Sequence, residues 1–216
     1  MRITLINPNS TVAMTDKAVQ AARSVAPLDD ITGVTCHASP PAIQGPEDDA
    51  LCRPHVLAEA AMAEAAGAQA IVIACFDDPA LAQARAAAKI PVIGIGEAAF
   101  HAAMLLGGRF SVVTTLPVAI PVIEANLARY GITACTRVRA AGIAVLDLQE
   151  PGGHAAAKVS AEIARAVAED APGAVVLGCS GMADLAAGFR ATHGLPVIDG
   201  VAAATLLARA MVLLRG

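Results

Sequence analysis

Three segments of the chain occur twice, in the same order and at a nearly constant spacing. Each pair combines a short apolar pattern with the residues that directly follow it. We interpret the repeats as an internal duplication, which predicts two similar halves related by a pseudo-two-fold axis. The matching pairs are MRITLINPN (1–9) with GRFSVVTTL (108–116), IVIACFDDP (71–79) with VVLGCSGM (175–182), and IPVIGIGEAAFHAAMLL (90–106) with LPVIDGVAAATLLARAM (195–211).

Within each half, short β-branched runs alternate with alanine-rich stretches of helical length. Hydrophobic residues make up 56% of the chain, and much of that share is alanine, the best helix former. Apolar strands that alternate with helices are typical of parallel sheets covered on both faces. The sequence therefore predicts an α/β fold with two similar, doubly wound parallel-sheet subdomains and the active site in the cleft between them. We place the first subdomain at residues 1–96 and 205–216 and the second at residues 97–204.

Composition disfavours several other classes of protein. The net charge is −4 without a basic run, Trp is absent and there is one Tyr, so nucleic acid is not an expected partner. The longest stretch without charged residues or His, 110–123, contains two prolines and is too short for a membrane span. No signal peptide is recognised, and an odd number of cysteines without a CxxC pair predicts neither a disulfide scaffold nor a zinc site, so we expect a cytoplasmic protein. The five cysteines are Cys36, Cys52, Cys75, Cys135 and Cys179.

Two of the cysteines, Cys75 and Cys179, occupy the same position in the two halves, directly after the third strand of each. Ligands of open α/β sheets bind beyond the carboxyl ends of the strands, so the pseudo-two-fold would aim both thiols at the shared cleft. Helices predicted over 79–88 and 181–192 would begin close to the two thiols, and a helix N-terminus stabilises a thiolate. We therefore expect both thiols to act as bases near neutral pH, and we interpret the other three cysteines as structural.

Two thiols on opposite sides of one substrate suit the inversion of a stereocentre, because one face must lose a proton while the other gains one. The two sulfurs should lie about 7 Å apart with the reacting carbon between them, and they should titrate as a coupled pair. The sequence contains no metal or pyridoxal motif, so the carbanion should be delocalised into an adjacent carbonyl group. Hydroxyl groups that could hold that oxygen, or equally cap helices, belong to Ser10, Thr114, Thr115 and Ser180.

Motifs spread over nearly the whole chain resemble the aspartate/glutamate racemase superfamily and, within it, the hydantoin and allantoin racemases. The resemblance implies two α/β subdomains, no cofactor, a catalytic pair at Cys75 and Cys179, a small-molecule substrate and a homo-oligomer. It also implies substrate contacts from Asn9, Ser10, the loop from Ile43 to Gly45, Thr114, Thr115 and the residues after each cysteine, Phe76 and Asp77 in one half and Ser180 and Gly181 in the other. The matching motifs are INPNST (6–11), PPAIQGPEDDA (40–50), ACFDDPAL (74–81), PVIGIGEAA (91–99), VVTTLP (112–117), VRAAGIAVLDL (138–148), LGCSGMADL (177–185) and PVIDGV (196–201).

The chain departs from that pattern at two places. It has CFDDPAL where many hydantoin racemases have CFGDPGL, and Ile43-Gln44-Gly45 where they have IEG. Asp77 would raise the pKa of the nearby thiol or select a substrate rich in N–H donors. Because the cleft motifs contain neither Arg nor Lys, we expect a neutral cyclic ureide or imide, either a 5-substituted hydantoin or allantoin, rather than free aspartate or glutamate.

Other functions stay open at this stage. An amino-acid racemase, or a related decarboxylase or isomerase of the same superfamily, is the alternative among enzymes. A two-lobed binding module with inert thiols is the alternative outside them. The segment 94–99 also fits the pattern GxGxxA, but it does not follow the first strand of a half and lacks the acidic residue expected further on, which disfavours dinucleotide binding.

Overall fold

The computed structural model describes residues 1–149 and 154–215. The strands are Arg2–Asn7 (β1), Asp30–Thr35 (β2), Ala70–Ile73 (β3), Val92–Gly94 (β4), Phe110–Thr114 (β5), Cys135–Ala140 (β6), Ala174–Leu177 (β7) and Val197–Asp199 (β8). The α-helices are Val12–Val25 (α1), Pro46–Ala65 (α2), Leu81–Ala87 (α3), Ile95–Gly107 (α4), Ile120–Arg129 (α5), Ala155–Asp170 (α6), Ala186–His193 (α7) and Gly200–Leu214 (α8). Short 3-10 turns span Pro117–Ala119, Val145–Gln149 and Ser180–Leu185.

Two four-stranded parallel sheets have the same topology, β2-β1-β3-β4 in one half and β6-β5-β7-β8 in the other. This confirms the predicted fold of two similar α/β units. The central strands β3 and β7 are buried along their whole length, as expected for sheets covered by helices on both faces.

The largest apolar cluster joins the two halves. It contains side chains from both sheets and from helices α1, α4, α5 and α8. Two smaller clusters fill the outer faces, where α2 and α3 cover the first sheet and α6 and α7 cover the second. Both sheets are therefore enclosed between an outer helical layer and a shared inner one.

Helices α4 and α8 are exchanged between the halves. Helix α4 follows the first sheet in the chain yet packs on β7 and β8, whereas α8 follows the second sheet and packs on β3 and β4. The two helices also pack on each other, and a Cβ atom at Gly200 would lie only 2.6 Å from the carbonyl oxygen of Ile95. The subdomain boundaries at 96/97 and 204/205 remain a prediction; they fall inside α4 and α8, and residue 216 lies outside the described part.

Buried polar groups behind the two sheets differ in kind. In the second half, the guanidinium group of Arg139 on β6 donates to both carboxylate oxygens of Asp170, at 2.7 and 2.6 Å, and Ser111 donates to the same carboxylate at 2.8 Å. In the first half, the hydroxyls of Thr15 and Thr35 form a hydrogen bond of 2.6 Å without any charge. The second half thus buries this ion pair, whereas the Thr15–Thr35 pair of the first half is neutral and partly buried.

No helix in the described part of the chain is long and apolar enough to cross a membrane.

Candidate active site

A narrow cavity of about 30 Å³ lies between the carboxyl ends of the two sheets, where both cysteines line it. Nine of the residues expected at the site line this cavity, namely Asn9, Ile43, Cys75, Phe76, Asp77, Thr114, Thr115, Cys179 and Ser180. Three others lie beside it without contributing to its described lining: Ser10, Gly45 and Gly181. Gly45 precedes α2 with φ of 144°, a conformation that favours glycine, so its role here is to shape the loop.

Cys75 lies two residues beyond the end of β3, at the start of a tight turn. Asp78 and Ala80 in this turn have left-handed backbones with φ of 50° and 57°, and α3 begins only at Leu81. The prediction that a helix starts at Pro79 is therefore wrong, and no helix N-terminus adjoins this thiol. Burial and the Asp77 carboxylate raise the pKa of Cys75, whereas a hydrogen bond from the Asp77 backbone N–H opposes the shift.

Cys179 immediately precedes the 3-10 turn at Ser180–Leu185. The helix predicted from Gly181 is thus a 3-10 turn first, and α7 starts at Ala186. Burial raises the pKa of Cys179 to about 11, and Asp77 adds to this, while the backbone N–H of Gly181 and the positive charge of Lys17 lower it. The two thiols are therefore held by different local structures.

The other three cysteines lie outside the described lining of the cavity. Burial raises the pKa of each, to about 12 for Cys36, Cys52 and Cys135. Burial thus opposes thiolate formation at both cavity thiols, and the turn N–H groups offset it only in part.

Asp77 is a buried carboxyl group in the cavity wall. It is 8% exposed, and its side chain has no hydrogen-bond partner within 1–149 and 154–215. Burial, together with the charges of Asp49 and Asp78, raises its pKa to about 7. Its ionised form raises the pKa of both cavity thiols, as the sequence led us to expect for the nearer one.

The adjacent Asp78 has a structural task. Its carboxylate accepts hydrogen bonds from the backbone N–H groups of Gly96 and Glu97 at the start of α4, at 3.0 and 2.8 Å, and from the Tyr130 hydroxyl at 2.8 Å. A Cβ atom at Gly94 would collide with this carboxylate. The glycines of the GxGxxA pattern therefore admit an internal carboxylate, and the place where a phosphate would bind is filled.

Polar groups around the cavity divide into engaged and available ones. The Asn9 side-chain oxygen accepts from Asn7 Nδ2 and from the Thr11 N–H, both at 2.9 Å, which fixes the first turn. The Thr114 hydroxyl donates to the Gly178 carbonyl oxygen at 2.9 Å. The hydroxyls of Thr115 and Ser180 have no partner in the part of the chain that the structure describes, so they can bind a substrate oxygen.

Three residues close the cleft, and sequence analysis had placed only Gln44 there, as part of the loop from Ile43 to Gly45. Gln44 belongs to a loop of the first half, and its side-chain oxygen accepts from the Val145 N–H of the second half at 3.2 Å. Met14 packs with Val145 and partly against Cys179. Lys17 of α1 also reaches the second half. Its place in the middle of a predicted helix gave no sign that it would reach the second half, whereas Gln44 lies in the motif PPAIQGPEDDA (40–50).

Within the described chain, no cluster of three or more His, Cys, Asp or Glu side chains is arranged to hold a metal ion. Nor does any Arg or Lys belong to the described lining of the cavity. The described polar side chains of the lining are thus two thiols, three hydroxyls, the amides of Asn9 and Gln44, and one carboxyl.

Fold and site together define a two-lobed α/β enzyme with a thiol from each lobe in the cleft. A family model described as Asp/Glu/Hydantoin racemase matches residues 3–208. A hydantoin racemase from Rhizobium meliloti is 46% identical over 98% of this chain and 88% of its own length. An allantoin racemase structure from Klebsiella pneumoniae has a TM-score of 0.97 and 42% identity, covering 100% of this chain and 89% of the other. The corresponding structure from Pseudomonas fluorescens has a TM-score of 0.95 and 34% identity, covering 100% and 92%.

The chain therefore belongs to the Asp/Glu/Hydantoin racemase family, and it is a racemase.

Proposed function

We propose that the chain racemises a neutral cyclic ureide or imide, a 5-substituted hydantoin or allantoin, with Cys75 and Cys179 as paired base and acid and without a cofactor. The observation that carries this proposal is that two thiols, each just beyond the third strand of its sheet, line one narrow cavity. The relatives with the named activities, a hydantoin racemase and two allantoin racemases, support the choice of ring.

The chemistry is a transfer of two protons at one carbon. A thiolate on one side takes the hydrogen next to the ring carbonyl, and the electron pair of the broken C–H bond is delocalised onto that carbonyl oxygen. The opposite thiol then gives its proton to the other face of the carbon and becomes a thiolate. The reverse reaction starts from this second state, so the pair titrates as one unit.

Hydrogen bonds are available for the charges that develop. The Asp77 and Gly181 backbone N–H groups favour the ionised forms of Cys75 and Cys179, since each lowers the pKa of its thiol. The hydroxyls of Thr115 and Ser180 can donate to the enolate oxygen. In a cavity this small, binding also removes water, which strengthens these interactions.

The polar lining favours an uncharged ring over an amino acid. A free aspartate or glutamate has carboxylates that need cationic partners, and the described lining offers none. A single buried carboxyl, Asp77, instead offers an acceptor to N–H groups. Allantoin has a ureido arm with several such donors, whereas an alkylated hydantoin has an apolar arm, so Asp77 favours allantoin.

The substrate is tested by polarimetry with allantoin, a 5-alkyl hydantoin, L-aspartate and L-glutamate. Allantoin should racemise with the highest kcat/KM, and Asp77→Gly should retain measurable racemisation while shifting preference towards the alkyl hydantoin. If only aspartate or glutamate were racemised, the proposal would be wrong and the protein would be an amino-acid racemase. A folded but wholly inactive Asp77→Gly variant would instead place Asp77 in the proton transfer.

The paired mechanism is tested by deuterium incorporation. One enantiomer is incubated in deuterated water, stopped early and analysed by chiral chromatography with mass detection. The product should contain deuterium while the remaining substrate stays largely protiated, because the opposite thiol has exchanged with solvent. Product that retains the original proton would indicate a single base that shuttles it.

Serine variants complete the test. Cys75→Ser and Cys179→Ser should each abolish racemisation, since an alcohol is a far weaker base than a thiolate. Each should still exchange the proton of one enantiomer, and the two variants should choose opposite enantiomers. Cys135→Ser is the matched control, because Cys135 lies on β6 outside the described cavity lining. Wild-type racemisation by either cavity variant would rule out the pair.

The same proposal includes cofactor independence, a homo-oligomer and a cytoplasmic location. Activity should survive chelation and dialysis, and restoration by a divalent metal or pyridoxal phosphate would contradict it. Free thiols at all five cysteines agree with a reducing compartment.

A further inference from the structure

Lys17 connects the two halves at the turn that carries Cys179. It lies on α1 of the first half, and its Nζ donates to the Leu148 carbonyl oxygen at 3.1 Å and to the Gly181 carbonyl oxygen at 3.3 Å. Both acceptors belong to 3-10 turns of the second half. The ammonium group also forms an ion pair of 3.4 Å with Asp184.

The packing around these contacts is tight. The Lys17 side chain is only 19% exposed, so its charge acts with little screening by water. A Cβ atom at Gly181 would lie 3.0 Å from Leu148 Cδ1 and 3.6 Å from Cys179 Sγ. The two turns held by Lys17 thus touch each other directly beside the thiol.

Gly181 lies between Lys17 and the Cys179 thiol and interacts with both. Its backbone N–H lowers the pKa of Cys179, while its carbonyl oxygen accepts from Lys17 at 3.3 Å. The N–H and the carbonyl of Gly181 belong to different peptide groups, so Lys17 does not polarise this N–H. Lys17 restrains the residue that carries the N–H, and its charge favours the thiolate through space.

We propose that Lys17 is a positioning residue that orients the turn after Cys179 and favours the thiolate at this cysteine over Cys75. This inference rests on the proposed paired-thiol function. Lys17 lies outside the described lining of the cavity, so it acts through Cys179 and does not touch the substrate.

Other charged groups that face Lys17 and Cys179 determine how strongly Lys17 changes the pKa of the thiol. Cys179 faces the carboxyl of Asp77, which raises its pKa, and Cys75, whose own pKa the Cys179 charge raises. On the far side, Lys17 shares a groove with Asp184, Arg190 and Asp199. Asp184 forms an ion pair with the ammonium group at 3.4 Å, so it should weaken the influence of Lys17 on the thiol.

The test measures alkylation of each cysteine by iodoacetamide between pH 7 and 10, followed by peptide mapping. Lys17→Met should slow the alkylation of Cys179 by about three- to tenfold and move its profile to higher pH, while Cys75 changes by less than about twofold. Lys17→Arg keeps a cation and should restore the Cys179 profile. Lys158→Met removes the same charge from an exposed position on α6 and should change neither thiol.

Two further variants keep the test decisive. If Lys17→Met does not fold, Lys17→Gln keeps a donor for one carbonyl but lacks the charge, and it should slow Cys179 in the same way. Asp184→Asn should speed the alkylation of Cys179 by about twofold, because it frees the charge of Lys17. Equal slowing of both thiols, no slowing in either neutral variant, or slower Cys179 alkylation in Asp184→Asn would overturn the proposal.

Racemisation assays separate this inference from the proposed function. In Lys17→Met, kcat should fall by about three- to tenfold with little change in KM, because the base is depleted while the cavity stays intact. If Cys179→Ser racemises normally, the paired mechanism fails, yet the alkylation profiles still decide what Lys17 does to this thiol.

Discussion

The turns after Cys75 and Cys179 lie at equivalent places in the two halves, but they surround their thiols with opposite charges. The first turn has two left-handed residues and a buried carboxyl, Asp77, next to its thiol. The second is a 3-10 turn held by a cation, Lys17, from the other half. The repeated topology thus supplies two thiols in one cavity, whereas the charged groups around them make them unequal as acids.

The largest difference between the halves should appear in stability. Asp170→Asn leaves the buried guanidinium of Arg139 without its main anionic partner, which should cost about 3–5 kcal/mol in urea unfolding. Thr15→Val in the first half removes two neutral hydrogen bonds, one with Thr35 and one from Asn7, and should cost about 2 kcal/mol. Similar losses for the two variants would show that the ion pair has no special weight.

The same pair predicts a pH dependence. Hydrogen bonds from Arg139 hold the pKa of Asp170 below its usual value, so its stabilising effect is present above about pH 4, the pKa in the unfolded chain, and is lost as the pH falls through the folded value. The free energy of unfolding of the wild type should fall steeply below pH 4, and in Asp170→Asn it should depend less on pH in this range.

A second prediction concerns the reactivity of the thiols. Asp77→Asn keeps the shape of the side chain but removes its charge, so the pKa of both thiols should fall. Alkylation near pH 8 should then speed up by about tenfold at Cys75 and by less at Cys179. Asp30→Asn, a change at a surface carboxylate, serves as the control. A larger increase in the alkylation rate at Cys179 than at Cys75 would show that Asp77 acts mainly on Cys179.

A third prediction is a smaller effect of the same variant on stability. The pKa of Asp77 is raised to about 7 in the folded chain. Between about pH 4 and that value the unfolded chain releases a proton that the folded chain keeps, so stability falls as the pH rises. Asp77→Asn cannot titrate, and its Tm relative to wild type should therefore be a few degrees higher at pH 8 than at pH 4. A difference that does not change with pH would contradict the buried titration.

The smallest expected effect concerns the bridge across the cleft. Gln44→Ala removes the hydrogen bond to the Val145 N–H, and kcat/KM should fall by about threefold, a loss typical of one such bond. Gln83→Ala changes an exposed glutamine on α3 and should leave kcat/KM unchanged. An unchanged kcat/KM in Gln44→Ala would mean that this bridge does not organise the closed cleft.

The fold could be predicted from the sequence because a parallel sheet covered on both faces requires strands that alternate with helices. The duplication then indicated two such sheets. It was less informative about the turns after the cysteines. Left-handed backbones at Asp78 and Ala80 delay α3 until Leu81; Asp adopts this conformation more readily than most residues, but Ala gives no signal of it. The expected helix N-terminus beside Cys75 was wrong for this reason.

Sequence also could not show how distant groups replace local ones. The segments PVIG and PVID end the two sheets at Gly94 and Asp199. Asp199 caps α8 with its own side chain, whereas α4 starts after a glycine and is capped by Asp78 from another turn. Lys17 likewise acts on a turn far along the chain, and only the folded arrangement reveals this.

The exchange of α4 and α8 between the halves bears on how the chain folds during synthesis. Strands β3 and β4 leave the ribosome early, but the helix that packs on them, α8, is made more than a hundred residues later. The β3–β4 part of the inner face of the first sheet therefore has to wait uncovered, at the stage when exposed apolar strands are most prone to aggregate. With this topology the two halves should acquire their protection from hydrogen exchange together rather than in turn.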